Sequence, residues 1–175
     1  MNIVLIGYRG AGKSSIGKLL ATRTGRRFVD TDELIEKRLG SSIREIVEKW
    51  GWSHFRNGEK KIIEEISGGN NLVIAPGGGA VLEPQNIKFL KQNGLFIWLK
   101  ADKEILYKRM MAEQETLANR PTLTGKGTLE ELEEVMMSRE PVYEGVADIQ
   151  IDTSHLNKEA VADKILVILP EKMEA

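Results

Sequence analysis

The segment that constrains this chain most is Gly7-Tyr8-Arg9-Gly10-Ala11-Gly12-Lys13-Ser14, which fits the P-loop pattern of glycine, four free positions, glycine, lysine, and serine or threonine. Such a loop works at one kind of junction. Its glycines take backbone conformations closed to other residues, so that successive N–H groups can turn inward around phosphate oxygens. A strand must deliver the chain into the loop, and a helix must leave it with its positive end aimed at the anion. The flanks supply both: Asn2–Ile6 is a short apolar run, and Ile16, Leu19 and Leu20 form a helical stripe just after the loop. Lys13 then brings a flexible charge to the β- and γ-phosphates, and the Ser14 hydroxyl can ligate an accompanying Mg2+. A strand–loop–helix opening of this kind predicts an α/β fold that binds a nucleoside triphosphate.

Further apolar runs repeat the first: Phe28–Val29, Leu72–Ala75, Leu95–Leu99 and Ile149–Ile151, each set between Gly, Asp or Pro. Between them lie stretches with helical spacing, among them Leu129, Leu132 and Met136, and then Val161, Ile165, Ile168 and Leu169. This alternation predicts a parallel sheet covered by helices on both sides, a P-loop three-layer sandwich in a single domain over residues 1–170. Two segments exceed what one crossover needs. Residues 32–71 predict a helical insertion beside the sheet. Residues 113–126, aperiodic and carrying Arg120-Pro121, predict a lid or binding loop. Residues 171–175, beyond Pro170, read as a frayed tail.

Composition narrows the class. Of 175 residues, 25 are Lys or Arg and 26 are Asp or Glu, so the net charge is −1, without the one-sided excess of a dedicated nucleic-acid or acidic-membrane binder. The absence of cysteine excludes a disulfide framework, a thiolate-ligated metal centre and a thiol nucleophile. Met1–Tyr8 has no basic segment ahead of its short apolar run, and the expectation is a cytoplasmic protein with no membrane partner. His54 and His155 offer neither a metal pair nor a triad, and Trp50, Trp52 and Trp98 read as packing residues.

A P-loop does not say where the phosphoryl group goes. Leu99-Lys100-Ala101-Asp102 lacks the polar first residue of a guanine-reading motif, so Asp102 reads as a helix cap. A kinase needs an acceptor pocket and a water-excluding lid. Asp30 and Asp32 stand at the C-terminal end of a strand-like run, the edge where open α/β sheets bind ligands, with the P-loop closing the neighbouring strand on the same rim. Strand spacing points both carboxylates one way; they suit a metal's water shell and a substrate hydroxyl, or equally the capping of a helix over Leu34–Leu39. Glu59 shares an apolar helical stripe with Phe55, Ile62, Ile63 and Ile66, so its carboxylate needs a partner, and Arg56 is the nearest. The pair is a surface ion pair or a held guanidinium fork for a carboxylate ligand. Gly77-Gly78-Gly79 makes a turn or admits a ligand to the backbone, and Arg120 and Arg139 are solvated charges or clamps.

Taken in order, these pieces resemble the shikimate kinases, a family of nucleoside monophosphate kinase-like P-loop enzymes. The resemblance runs from Asn2 to about Leu169 and rests on Gly7–Ser14 with Ser15-Ile16-Gly17, Asp30-x-Asp32, Phe55-Arg56 with Glu59, Gly77-Gly78-Gly79, Arg120-Pro121, and Arg139 with Tyr143. It implies a five-stranded parallel sheet and transfer of the ATP γ-phosphoryl group to the 3-hydroxyl of shikimate by a monomer. It assigns the ATP phosphates to Gly10, Ala11, Gly12, Lys13, Ser14 and Ser15, and the metal to Ser14 with Asp30 acting through water. Asp32 is implied on the ring hydroxyls, Arg56 and Arg139 on the carboxylate, Gly78 and Gly79 against the ring, and Arg120 as a lid arginine reaching ATP. The catalytic set it implies is Lys13, Asp32 and Arg120. The paired arginines also suit another small hydroxy acid such as gluconate, and a nucleotide-binding switch is a third reading. The chain departs from the family at Trp52, where Glu is common, at Pro76, where a small hydroxyl residue is usual, and at Thr122, where Leu is usual.

Overall fold

The expected apolar runs all form strands: β1 (Asn2–Ile6), β2 (Arg27–Asp30), β3 (Leu72–Ala75), β4 (Gly94–Lys100) and β5 (Ile149–Asp152). In the computed structural model, which describes residues 1–112 and 128–173, they pair in parallel in the order β2-β3-β1-β4-β5. Burial follows position. Every residue of central β1 is buried, as a strand covered on both faces requires, whereas edge strand β5 alternates buried and exposed. One expectation is corrected here. β1 and β2 are not neighbours, because β3 lies between them and pairs with both. The crossover through the long helical segment is what lets the later strand take the middle place.

The described helices are α1 (Lys13–Thr24), α2 (Thr31–Leu39), α3 (Ile43–Ser67), α4 (Pro84–Lys91), α5 (Lys103–Ala112), α6 (Thr128–Val146) and α7 (Lys158–Met173). One face of the sheet packs Ile3, Leu5 and Ile97 against Leu20, Leu106, Leu132 and Ile165; the other packs Ile6, Ile74 and Phe96 against Ile63, Leu90 and Tyr143. α2 and α3 add a core of their own around Ile35, Ile46, Phe55 and Ile62. Two devices shape this helical segment. Ser42 and Glu45 form a capping box at the start of α3, and Gly51, at φ 80°, breaks the helix before Trp52. Beyond the break, Phe55, Arg56 and Glu59 of α3 line a cleft with Gly77–Gly79 at the exit of β3.

Three smaller expectations change. Trp98 is a core residue, but Trp50 is 44% exposed and stacks on His54, so it does not pack inward. Leu129 is half exposed in the first turn of α6, and the buried stripe there is Leu132, Val135 and Arg139. Pro170 does not end the last helix, which runs on to Met173, because a proline removes one ladder donor while the residues after it keep theirs. The expected lid at 113–126, with Arg120 and Thr122, lies outside the described residues.

Candidate active site

The P-loop links β1 to α1, as its flanks predict. Gly12 caps α1 in the left-handed region at φ 91°, a conformation that suits glycine, and the helix axis then starts at the loop. Lys13 Nζ donates to the carbonyls of Gly7 and Tyr8 at 2.9 and 3.1 Å, which holds the charge inside the loop's curve. The Ala11 N–H donates to Tyr8 O at 3.2 Å and the Ser15 hydroxyl to Gly12 O at 3.1 Å, so both help shape the turn.

Asp30 is at once the cap of α2 and a partner of the P-loop serine. Its Oδ1 caps α2, accepting from the N–H groups of Asp32 at 3.0 Å and Glu33 at 3.4 Å. Its Oδ2 accepts the Ser14 hydroxyl proton at 2.7 Å, and both residues line a cleft of about 940 Å³ with Lys13, Lys18 and Arg9. A hydroxyl and a carboxylate oxygen fit a hard cation that keeps waters and phosphate oxygens as its other ligands. No cluster of three metal-ligating side chains occurs among the described residues. Asp32 is not two places along a strand from Asp30, as the spacing argument has it. Asp30 ends β2 and Asp32 sits in the first turn of α2, buried, yet both border the phosphate cleft.

Asp32 and Arg9 also border a second cleft, of about 490 Å³, walled by Tyr8, Trp52, Arg56, Gly77–Gly79 and Arg139. Because β3 lies between β1 and β2, its glycine exit stands between the P-loop and Asp32. Each glycine faces a different polar group. A Cβ on Gly77 would lie 2.7 Å from Asp32 Oδ1 and 2.9 Å from Glu59 Oε1; on Gly78, 3.3 Å from Arg139 Nη1; on Gly79, 3.0 Å from Arg56 Cζ. The backbone is thus close to Asp32, Arg56, Glu59 and Arg139, and larger residues would displace them.

Arg56 Nη1 donates to Glu59 Oε2 at 2.5 Å, and Glu59 is fully buried. Burial raises the Glu59 carboxyl to about 7, outweighing the lowering by Arg56 and Arg139, while Asp32 adds to the rise. Its Oε1 has no hydrogen-bond partner among the described residues. Arg139 is 8% exposed, with its guanidinium 5.8 Å from the Tyr8 ring. The structure therefore brings Asp32, Arg56, Gly78, Gly79 and Arg139 together beside Lys13 and Ser14; Arg120 lies outside the described residues.

Sequence reasoning missed four residues. Tyr8 and Arg9 fill positions that the P-loop motif leaves free. Trp52 lines the acceptor cleft, edge-on to Phe55 and under Arg56; its place three and four residues before them was the available signal. Arg109, on α5, donates to the Thr153 carbonyl at 2.7 Å and hydroxyl at 3.1 Å, and borders a third cleft of about 670 Å³ behind Gly10, Gly12 and Ser15.

A family model described as shikimate kinase matches residues 9–170. The chain belongs to the shikimate kinase family. The shikimate kinase of Thermodesulfovibrio yellowstonii is 45% identical over 165 residues, covering 94% of this chain and 92% of that one. Among solved structures, shikimate kinase from Acinetobacter baumannii in complex with shikimate superposes with a TM-score of 0.90 at 35% identity, covering 98% of this chain and 93% of that one. A gluconokinase from Sinorhizobium meliloti, at 18% identity, TM-score 0.64 and coverage of 99% and 93%, shares the fold alone. With Trp52 and Pro76 in place, Asp32, Arg56 and Arg139 still line the acceptor cleft, and Lys13 and Ser14 the phosphate cleft.

Proposed function

We propose that this chain is an ATP-dependent kinase that transfers the γ-phosphoryl group to the 3-hydroxyl of shikimate, giving ADP and shikimate 3-phosphate on the route to chorismate and the aromatic amino acids. The observation that carries this reading is the acceptor cleft. The glycine loop, the buried carboxylates of Asp32 and Glu59, and the guanidinium groups of Arg56 and Arg139 meet beside the P-loop, which suits a ring acid with hydroxyls and a single carboxylate.

In this reading Gly10, Ala11, Gly12, Lys13, Ser14 and Ser15 bind the ATP phosphates, and the Arg109 cleft takes the base. Arg56 and Arg139 hold the shikimate carboxylate through forked donors, while Gly78 and Gly79 flank the ring. Asp32 orients the 3-hydroxyl and accepts its proton as the oxygen attacks. Ser14, with Asp30 through water, would hold Mg2+, which supplies neutralisation of the phosphate charge. Phosphoryl transfer through a loose transition state leaves little covalent work, so positioning and electrostatics carry the rate. Arg120 enters as an ATP-reaching arginine on the resemblance alone, while the lid at 113–126 and the division into a kinase domain over 1–170 with its insertion at 32–71 enter on the sequence pattern. The same reading takes the enzyme as a cytoplasmic monomer that engages no nucleic acid or membrane. Its near-neutral charge supports the reading that no nucleic acid is engaged. No described helix is long and apolar enough to cross a membrane.

A coupled assay of ADP release with ATP and Mg2+ tests the reading, with shikimate and gluconate as alternative acceptors. Turnover with shikimate is the expected result; turnover with gluconate alone would overturn it.

A further inference from the structure

The glycine loop after β3 is gripped on both sides by hydroxyl groups that the proposed mechanism does not use. Thr31, fully buried at the start of α2, accepts the Gly77 N–H on its Oγ1 at 3.0 Å. Tyr143, buried on α6, donates its hydroxyl to the Gly78 carbonyl at 2.6 Å. Pro76 enters the loop with a ring-fixed φ, so the chain is stiff before the first of these bonds.

The consequence for a ligand follows from peptide geometry. The Gly78 carbonyl and the Gly79 N–H belong to one planar trans unit and point in opposite directions. Turning the carbonyl to Tyr143 therefore turns the Gly79 N–H away from it. No hydrogen bond within the protein takes the N–H of Gly78 or Gly79 among the described residues, so both donors stay available at the cleft wall. Tyr143 also stands one turn after Arg139, and both reach the same side of Gly78. Burial pushes the Tyr143 phenol up to about 12 against the lowering by Arg139, so it remains a donor through the neutral range.

The geometry points to Thr31 and Tyr143 as positioning residues that clamp the Gly77–Gly79 peptides in the orientation presented to the acceptor ring. Their loss should weaken the hold on the acceptor and not on the nucleotide. The inference rests on the shikimate reading above.

Steady-state kinetics of Thr31→Val, Thr31→Ser and Tyr143→Phe, with each substrate varied in turn, test it. A lost hydrogen bond of this kind corresponds to about fivefold to tenfold in binding. The KM for shikimate rises by that factor in Thr31→Val and Tyr143→Phe while the KM for ATP stays within about twofold, and Thr31→Ser, which keeps the oxygen, behaves like the parent. If the parent itself releases no ADP with shikimate, the functional reading falls and takes this inference with it. If the parent is active but both KM values rise together, or only the melting temperature falls, the clamp alone is overturned. A variant that does not fold leaves the decision to the other side of the loop. The unaltered protein gives a measurement free of folding effects: shikimate slows hydrogen exchange at the Gly78 and Gly79 amides, and unchanged exchange at saturation overturns the clamp.

Discussion

The two halves of this site are built in opposite ways. The phosphate half rests mainly on one continuous stretch, Gly7 to Ser15, with Lys18 and Asp30 beside it, and the start of α1 lies at that loop. The acceptor half draws Asp32 from α2, Arg56 from α3, the glycines from the exit of β3 and Arg139 from α6, and its working groups are side chains with formal charge. A main-chain site needs only a local turn. A side-chain site needs the tertiary structure to hold charges where water is scarce, and it bears the strain of doing so. Glu59 shows this: it is fully buried beside Arg56 and titrates well above an ordinary carboxylate.

Substitutions can break or sharpen this contrast. The largest effect belongs to Lys13→Ala, which removes the ammonium held inside the phosphate loop by the Gly7 and Tyr8 carbonyls. Turnover in the coupled ADP assay should fall by about 10²-fold or more, and near-parent kcat would refute the assignment. Next is Arg139→Ala, expected to raise the KM for shikimate by about 10- to 100-fold while leaving that for ATP within about twofold, the loss expected of a charge-assisted hydrogen bond. A larger change in the ATP value would exchange the roles of the two halves. Gly79→Ala should act more gently. The new methyl would overlap Arg56 Nη2, so the guanidinium must shift, as the far end of a flexible side chain can. The protein should fold with an unchanged melting temperature, and the KM for shikimate should rise about fivefold, as for one weakened hydrogen bond.

The smallest effect is a pH dependence. The Glu59 carboxyl titrates near 7 in the folded chain and near 4.5 in the unfolded one. As pH rises between these values the unfolded chain releases the proton first and is favoured, so folding weakens through that window and levels off above it. Glu59→Gln, which carries no such proton, should gain melting temperature relative to the parent as pH goes from 5 to 8, by a few degrees. A gap that does not vary with pH would mean that Arg56 keeps Glu59 ionised throughout.

The same contrast explains what could be read from the sequence. The strands and the P-loop were legible because their signals are local: a short apolar run, glycines at fixed offsets, a helical stripe. Arg56 and Glu59 were legible as a pair through helical spacing, and Asp30 as a cap through its place before α2. That Asp30 also binds Ser14 depends on the end of β2 meeting the first turn of α1, which no spacing encodes. The neighbour relation of β1 and β2 was misread because sequence order carries no information on which strand a crossover leaves in the middle. Trp52 was read as packing since its apolar neighbours are equally consistent with a cleft wall. Arg109 carries no motif at all; its partners are the Thr153 main chain and hydroxyl, far along the chain.

The central place of β3 also bears on how the chain is made. β2 pairs with β3, and β1 pairs with β3 and β4, so neither early strand has a ladder partner until Leu72–Ala75 has been synthesised. At about 5–20 residues per second, β2 waits on the order of two to eight seconds for that strand to follow it off the ribosome. During that interval the helices of α2 and α3 can gather on their own small core, but the two strands stand open. A chain released before Leu72 would hold a complete phosphate-binding motif and no sheet to support it.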